Sequence, residues 1–212
     1  MTNVLRFIPN EADNLHCLQA CYQMVYEAFT ADKLTLREAE TRTNFVQGKP
    51  TWPFAAILSL MDAGLKVTYL ENFPINVFIK DPKKALMIQY GDKKIVKGML
   101  DVLNFDVEVE LARKCFKHQN MNFQQYSPDI EDIDNLLKTD SLLIANVNYW
   151  KLLGKDEYAG HFVIIEKKLG NVLTLQNPGL PPVQNQIVTV EQFIEAWHYP
   201  NKGASNIIAV KR

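Results

Sequence analysis

The feature that most constrains the fold is a change in the spacing of apolar residues along the chain. Between residues 17 and 29 they recur every three to four positions, which predicts a buried helix. From Leu142 onward the period is two, which is typical of β-strands. Helices followed by an antiparallel sheet predict an α+β fold. No linker rich in Pro, Gly or Ser separates the two halves, so we expect a single domain over residues 1–212.

Capping patterns and breakers place further elements. A capping box at Thr35 predicts a second helix to about residue 45, and Thr51 is expected to cap a third helix through residue 61. A second capping box at Thr189 predicts a short helix to residue 197. Another helix is expected to start at Ser127. Strands are predicted at residues 66–70, 142–147, 162–166, 172–175, 187–190 and 207–210.

The middle of the chain, about residues 76–126, is harder to interpret. Residues 95–103 are predicted to be helical, and residues 109–116 either extend that helix or form a separate one. The segment fits a solvated helix pair, or an insert or lid over a cleft.

Composition excludes several classes of protein. The 212 residues carry 23 basic and 24 acidic side chains, which argues against a general nucleic-acid binder. No apolar run reaches the roughly 18 residues that span a bilayer, and residues 1–10 lack the apolar core of a secretory signal. Three cysteines are too few for a disulfide scaffold. We therefore expect a cytoplasmic protein that binds neither nucleic acid nor membrane.

Three residue types suited to nucleophilic catalysis occur where the local structure favours them. Cys17 lies at the predicted start of a buried helix, where backbone N–H groups and the helix dipole lower a thiol pKa. His161 opens an apolar strand, and Asn177 ends the next strand at a turn. Neighbouring antiparallel strands would bring His161 and Asn177 together, so that Asn177 orients the imidazole. The order Cys, His, Asn and the spacing match a papain-type arrangement.

Longer motifs around these residues resemble papain-like cysteine peptidases of the bacteriocin-leader-peptidase type. The first is the helix from Cys17 to Met24 and Val25, followed by a helix that ends at Gly64. The later motifs are Gly-His-Phe-Val at residues 160–163, Asn-Pro-Gly at 177–179, and a short helix with Phe193 and Trp197. The resemblance covers about residues 10–75 and 127–200. It implies a papain-like fold, N-terminal helices packed on a C-terminal antiparallel sheet, and a Cys17–His161–Asn177 triad.

Two positions depart from the family pattern. Leu18 follows the cysteine where the family has Gly, and Glu11 occupies the place of a Gln that donates to the oxyanion. An ionised carboxylate cannot donate. Asn14 is the nearest amide that would replace it, with the backbone N–H of Cys17 as the second oxyanion donor.

The predicted activity is that of a cysteine hydrolase or acyl transferase acting on a peptide or an amide-linked acyl group, without a cofactor. One alternative is a binding module that keeps the fold without turnover, which Leu18 and Glu11 favour. A second alternative is a zinc-stabilised domain, with Cys17, Cys21, Cys115 and His118 as ligands. We expect Cys21 and Cys115 to be core residues without a catalytic role. His16 is expected to lie in a loop, and His198 on the surface at the end of a helix. No oligomeric state is predicted.

Overall fold

The computed structural model describes residues 5–212. The first four residues lie outside the described residues. They belong to the segment 1–10 for which the sequence predicts no secretory signal, so the structure bears on only part of that segment.

The N-terminal part is helical and largely buried. It comprises α1 (Cys17–Thr30), α2 (Leu36–Arg42) and α3 (Phe54–Asp62), followed by strand β1 (Lys66–Glu71). All residues of α1 from Leu18 to Phe29 are buried, which confirms the predicted helix. The capping box at Thr35 is present, although α2 ends three residues earlier than expected.

The prediction that Thr51 caps α3 is wrong. The N-cap residue is Pro53. The Thr51 hydroxyl instead accepts a hydrogen bond from Gln19 Nε2 at 3.1 Å. Gln19 is a buried polar residue of α1, and a buried amide requires hydrogen-bond partners.

The middle segment belongs to the body of the fold. It forms α4 (Ile75–Phe78), α5 (Pro82–Tyr90), α6 (Lys93–Val102), α7 (Phe105–Lys117) and β2 (Met121–Gln124). Of the two possibilities left open by the sequence, α6 and α7 are separate helices, since Asn104 caps α7. Helix α7 packs on α3, and β2 pairs with β1.

The C-terminal part supplies most of the sheet. Its elements are α8 (Ile130–Leu137), β3 (Leu142–Asn148), α9 (Tyr149–Leu152), β4 (Gly160–Leu169), β5 (Val172–Asn177), β6 (Val183–Thr189), α10 (Val190–Trp197), a 3₁₀ turn (Lys202–Ala204) and β7 (Asn206–Lys211). The Thr189 capping box and the helix after it are confirmed. Asp129, rather than Ser127, caps α8.

Seven strands form one sheet in the order β2-β1-β7-β3-β4-β5-β6. The expected antiparallel sheet needs one correction, because β1 and β2 pair in parallel. The sheet also takes strands from both parts of the chain, since β1 pairs with β7. One face of the sheet packs in the same core as α1, α3 and α7, and the other face packs against α8 and α10. Helices therefore cover both faces, and the predicted α+β class is confirmed.

Among residues 5–212, no helix combines the length and the apolar character needed to cross a membrane.

Candidate functional site

A loop anchored by Asn10 delivers the chain to the start of α1. The buried Asn10 side chain accepts hydrogen bonds through Oδ1 from the backbone N–H groups of Glu11 and His16. The Asn10 backbone N–H donates to Pro178 O at 2.7 Å. Pro178 directly follows β5, so this bond fixes the loop before Cys17 beside the turn that follows Asn177.

Cys17 is the first residue of α1, and its side chain is half-buried. The backbone N–H groups of Phe162, Leu18 and Cys17 itself favour the thiolate, but burial outweighs them and raises the pKa of the thiol. The lowered pKa expected from the helix N-terminus is therefore wrong for this structure. The contact with Phe162 also locates the sulfur, because Phe162 follows His161 in β4.

His161 and Asn177 lie together. His161 is the second residue of β4 and Asn177 is the last residue of β5, and these strands pair antiparallel. The ring Nε2 of His161 is 2.7 Å from Asn177 Oδ1, and both side chains are buried.

The hydrogen bonds of Asn177 define the protonation of the histidine ring. A backbone N–H always donates, and that of Gly179 lies 3.0 Å from Asn177 Oδ1. The Nδ2 group of Asn177 donates to Gln186 Oε1 at 2.7 Å. Since Oδ1 is thus the acceptor, His161 Nε2 carries the proton in this contact. A neutral His161 then has Nδ1 free to accept a proton.

The His161 ring is enclosed on its other sides. The Tyr149 ring packs edge-on against it with ring centroids 5.0 Å apart, and the Tyr149 hydroxyl donates to Leu180 O. A Cβ on Gly179 would lie 2.7 Å from Tyr149 Cε2 and 3.3 Å from His161 Nε2. Burial lowers the pKa of His161 to about 4, against the opposing effect of Asn177, so the ring is neutral near pH 7.

The structure brings Cys17 to the end of β4 that carries His161. The hydrogen-bond partner of the His161 ring is Asn177, and the hydrogen bonds that favour the Cys17 thiolate come from backbone N–H groups. The arrangement holds a neutral thiol and a neutral imidazole at adjoining positions.

Of the residues considered for the oxyanion, Asn14 lines the same open cavity of about 700 Å³ as Cys17. It adopts a left-handed backbone conformation with φ 59°. Its Oδ1 accepts from Asn10 Nδ2 at 2.9 Å, which leaves Nδ2 as the donor of this side chain. Glu11 is exposed and does not line the cavity, whereas Leu18 is buried in the core and lines it.

The remaining cysteines and histidines lie elsewhere. Cys21 and Cys115 are fully buried free thiols, and burial raises the pKa of Cys115 to about 12. Within the described residues, no three His, Cys, Asp or Glu side chains form a group that could hold a metal ion, which contradicts the zinc alternative. His198 caps the end of α10 and stacks on Trp197.

His16 is more than a loop residue. It is buried, with Nδ1 3.0 Å from Asp13 Oδ1 and Nε2 2.9 Å from Glu40 Oε1. Its ring packs on Phe45 at 4.0 Å. These contacts fix the residue that precedes Cys17.

An open cavity of about 700 Å³ extends from Cys17 across one face of the sheet. Trp52 and Phe73 form part of its aromatic wall, and α6 forms another wall. This cavity and the roles of Asn10, Tyr149 and Gln186 were not predicted from the sequence. Alternation along β6 could have indicated Gln186, whereas nothing in the sequence distinguishes Tyr149.

Comparison with known proteins supports the fold. No protein-family model matches the chain, and no curated protein matches it in sequence. Among solved structures, the chain is similar to the crystal structure of the peptidase domain of Streptococcus ComA, a bifunctional ABC transporter involved in a quorum-sensing pathway. The TM-score is 0.51 at 9% identity, over 98% of this chain and 99% of that one. At this identity the similarity establishes architecture alone, and the chain has the α+β fold of a papain-like peptidase domain.

Proposed function

We propose that the protein is a cysteine hydrolase that acts on a peptide or an amide-linked acyl group. Cys17 is the nucleophile, His161 the proton carrier, and Asn177 the residue that orients His161. The observation that carries the proposal is the hydrogen bond between His161 and Asn177. His161 directly precedes Phe162, whose backbone N–H faces the Cys17 sulfur. The peptidase-domain fold is consistent with this assignment.

In the proposed reaction, Cys17 Sγ attacks the carbonyl carbon while its proton passes to His161 Nδ1. The carbonyl π electrons move to oxygen, where the Cys17 N–H and Asn14 Nδ2 stabilise the negative charge. The C–N bond then breaks, and the amine leaves with the proton from His161. Water attacks the resulting thioester, His161 accepts its proton, and the acid and the Cys17 thiol are released.

The raised pKa of Cys17 and the lowered pKa of His161 determine the protonation state in which the reaction begins. Both groups are neutral, so the proton transfers when the carbonyl is attacked rather than beforehand. This favours a substrate that fills the cavity, because exclusion of water strengthens the contacts to the developing oxyanion.

Thiol labelling tests this assignment. Iodoacetamide is added to the native protein between pH 6 and pH 9, and modified cysteines are identified by mass spectrometry. Cys17 should react at least tenfold faster than Cys21 and Cys115, because those two thiols are fully buried. His161→Ala should slow the reaction of Cys17 if the ring accepts its proton.

The matched control is Cys115→Ser, which should leave the labelling of Cys17 unchanged. Cys17 labelling no faster than that of Cys115, or insensitive to His161→Ala, would remove the nucleophile from the proposal.

A binding module without turnover is the second candidate. Glu11 and Leu18 at the departing positions favour it, as does the enclosure of His161 by Tyr149 and Gly179. Peptide and acyl-amide libraries incubated with the wild type and with Cys17→Ala separate the two candidates. An enzyme cleaves members of the library only in the wild type, whereas a binding module retains the same members in both proteins without cleavage.

A further inference from the structure

One end of the cavity has a polar floor that the proposed chemistry does not use. Glu71 ends β1, Asn206 begins β7, and Asn146 lies near the end of β3. Glu71 and Asn206 are cross-strand partners, and Asn146 N–H donates to Asn206 Oδ1 at 3.1 Å. All three line the same cavity as Cys17.

The alternation of side chains along the strands explains why Glu71 and Asn206 lie on the same face of the sheet. In β1, Tyr69 belongs to the core beneath α1, whereas Leu70 belongs to the core on the opposite face. Glu71 therefore shares the face of Tyr69, and Asn206 shares the face of Ile208 by the same rule. The carboxylate is thus fixed by the sheet itself on the floor of the cavity.

Glu71 has hydrogen-bond donors around it but no cationic partner in the part of the chain that the structure describes. The Tyr69 hydroxyl donates to its Oε2, and the Asn206 side chain also supplies a hydrogen bond. No Lys, Arg or His of the described residues forms an ion pair with it, although its side chain is only 7% exposed. Burial raises its pKa to about 7. A buried carboxylate of this kind is costly to ionise until a positive charge joins it.

The groups around Glu71 suit a cation. The titratable and charged residues that line this cavity with it are Cys17, Tyr69, Tyr90, Tyr158, Tyr199, Asp92 and Lys94. Burial raises the pKa of Tyr69 and Tyr90, and the negative charge of Glu71 raises both further. Tyr158 and Tyr199 stack at 5.2 Å. Aromatic faces attract organic cations, and Lys94 is exposed at the start of α6.

We propose that Glu71, on the floor of the cavity that contains Cys17, is the anionic centre of a subsite for a Lys or Arg side chain of the substrate. The inference rests on the proposed function only in treating the bound molecule as a substrate. Binding of a cation at Glu71 requires no catalysis. Strands β7 and β3 lie between β1 and β4, so three interstrand spacings separate Glu71 from Phe162 by about 14 Å. That distance corresponds to about four residues of extended chain. The cationic residue therefore lies up to four positions from the attacked carbonyl.

Two single-residue probes test the subsite. Nα-acetyl-lysine amide carries the ammonium, and Nα-acetyl-norleucine amide lacks it and is more apolar. Binding is measured by NMR titration of the whole 212-residue chain at pH 8, in a Cys17→Ala background that prevents turnover. We expect the lysine probe to bind at least tenfold more tightly. A merely apolar cavity would reverse that order, because norleucine removes more apolar surface from water.

Variants distinguish Glu71 from the rest of the cavity. Glu71→Gln keeps the shape and removes the charge, so the preference for lysine should disappear. Glu108→Gln is the matched control, since Glu108 is a buried carboxyl outside this cavity with its pKa also raised to about 7. It should leave the preference unchanged. Below pH 7 the affinity for the lysine probe should fall by up to about tenfold per pH unit as Glu71 becomes protonated.

Equal binding of the probes, no measurable binding of the lysine probe, or a preference that survives Glu71→Gln would overturn the subsite. None of these results depends on turnover. A preference for lysine in a protein that cleaves nothing would keep the subsite and reject the hydrolase, whereas cleavage without that preference would do the reverse.

Discussion

The two ends of the cavity bury titratable groups in different ways. Near Cys17, the neutral ring of His161 has its donor paired with Asn177, and burial lowers its pKa to about 4. At the far end, Glu71 receives hydrogen bonds from Tyr69 and Asn206, but no positive charge of residues 5–212 balances it, and burial raises its pKa to about 7. Both ends disfavour charge in the protein without a ligand.

The difference lies in what each end needs in order to act. A histidine that takes a proton from a thiol must begin neutral. Burial keeps His161 neutral, and the Asn177–Gly179 turn fixes its tautomer. A carboxylate that binds a cation must become charged, and the ligand itself supplies the compensating charge. We therefore expect changes near His161 to affect the turnover of every substrate, and changes at Glu71 to affect the choice among substrates.

The largest expected effect is on turnover at the Cys17 end. Cys17→Ala removes the nucleophile and His161→Ala removes its base, so each should lower kcat/KM by at least about a thousandfold. Because the two residues act as a unit, the double variant should be little worse than either single variant. The measurement is the rate of cleavage of a library member found with the wild type, and Cys115→Ser should retain that rate. Full turnover in Cys17→Ala would contradict the assignment.

A smaller effect is expected at Asn14. Its Nδ2 group is the side-chain donor assigned to the oxyanion, so Asn14→Ala should lower kcat by roughly ten- to a thousandfold with little change in KM. Asn10 provides a useful contrast. Its Oδ1 accepts hydrogen bonds from two backbone N–H groups of the loop, so Asn10→Ala should reduce stability as well as rate. Equal kcat for Asn14→Ala and the wild type would leave Asn14 as a turn residue only.

The dependence of stability on pH sharpens the contrast between the two ends. A His161 pKa of about 4 lies below the unfolded value of about 6.5. Its contribution to the free energy of unfolding is therefore present above pH 6.5 and lost as the pH falls toward 4. A Glu71 pKa of about 7 lies above its unfolded value of 4.5, so its contribution is present below pH 4.5 and lost as the pH rises through 7.

Glu71→Gln should therefore raise the free energy of unfolding at pH 8 relative to that at pH 4.5, by up to about 3 kcal/mol. Urea unfolding of the wild type and the variant at both pH values measures this difference. Glu108→Gln should change the free energy of unfolding over the same pH range, since the pKa of Glu108 is also raised. A Glu71→Gln profile parallel to that of the wild type would mean that Glu71 is solvated in the native state.

The His161 end could be predicted from the sequence, and the Glu71 end could not. Gly160 and His161 open an apolar strand and Asn177 closes the next one, so local pattern and antiparallel pairing suffice to place them together. Glu71 lay just outside the predicted strand at residues 66–70. Its burial depends on the pairing of β1 with β7, which joins residues more than 130 positions apart, and no local pattern encodes that pairing.

The middle segment shows a related limit. Helix α5 carried a usable signal, because Asp81 caps it and Pro82 is its first residue. Strand β2 carried almost none, since it has four residues and is defined by its parallel partner β1. Helix α6 lines the cavity, whereas α7 packs on α3. The expectation of an insert or lid over a cleft stays a prediction.

The smallest expected effect concerns the packing that encloses His161. A methyl group on Gly179 would lie 2.7 Å from the Tyr149 ring and 3.0 Å from Asn177 Oδ1, so Gly179→Ala must displace one of them. Overpacking of this kind costs about 1–3 kcal/mol of stability. Gly160→Ala is the matched control, since its nearest contact would be an ordinary 3.5 Å. It should change stability by less than about 0.5 kcal/mol. Urea unfolding measures both variants, and the NMR signal of the His161 ring should shift only in Gly179→Ala. Equal stability of the two variants would mean that Tyr149 moves freely and does not enclose the His161 ring.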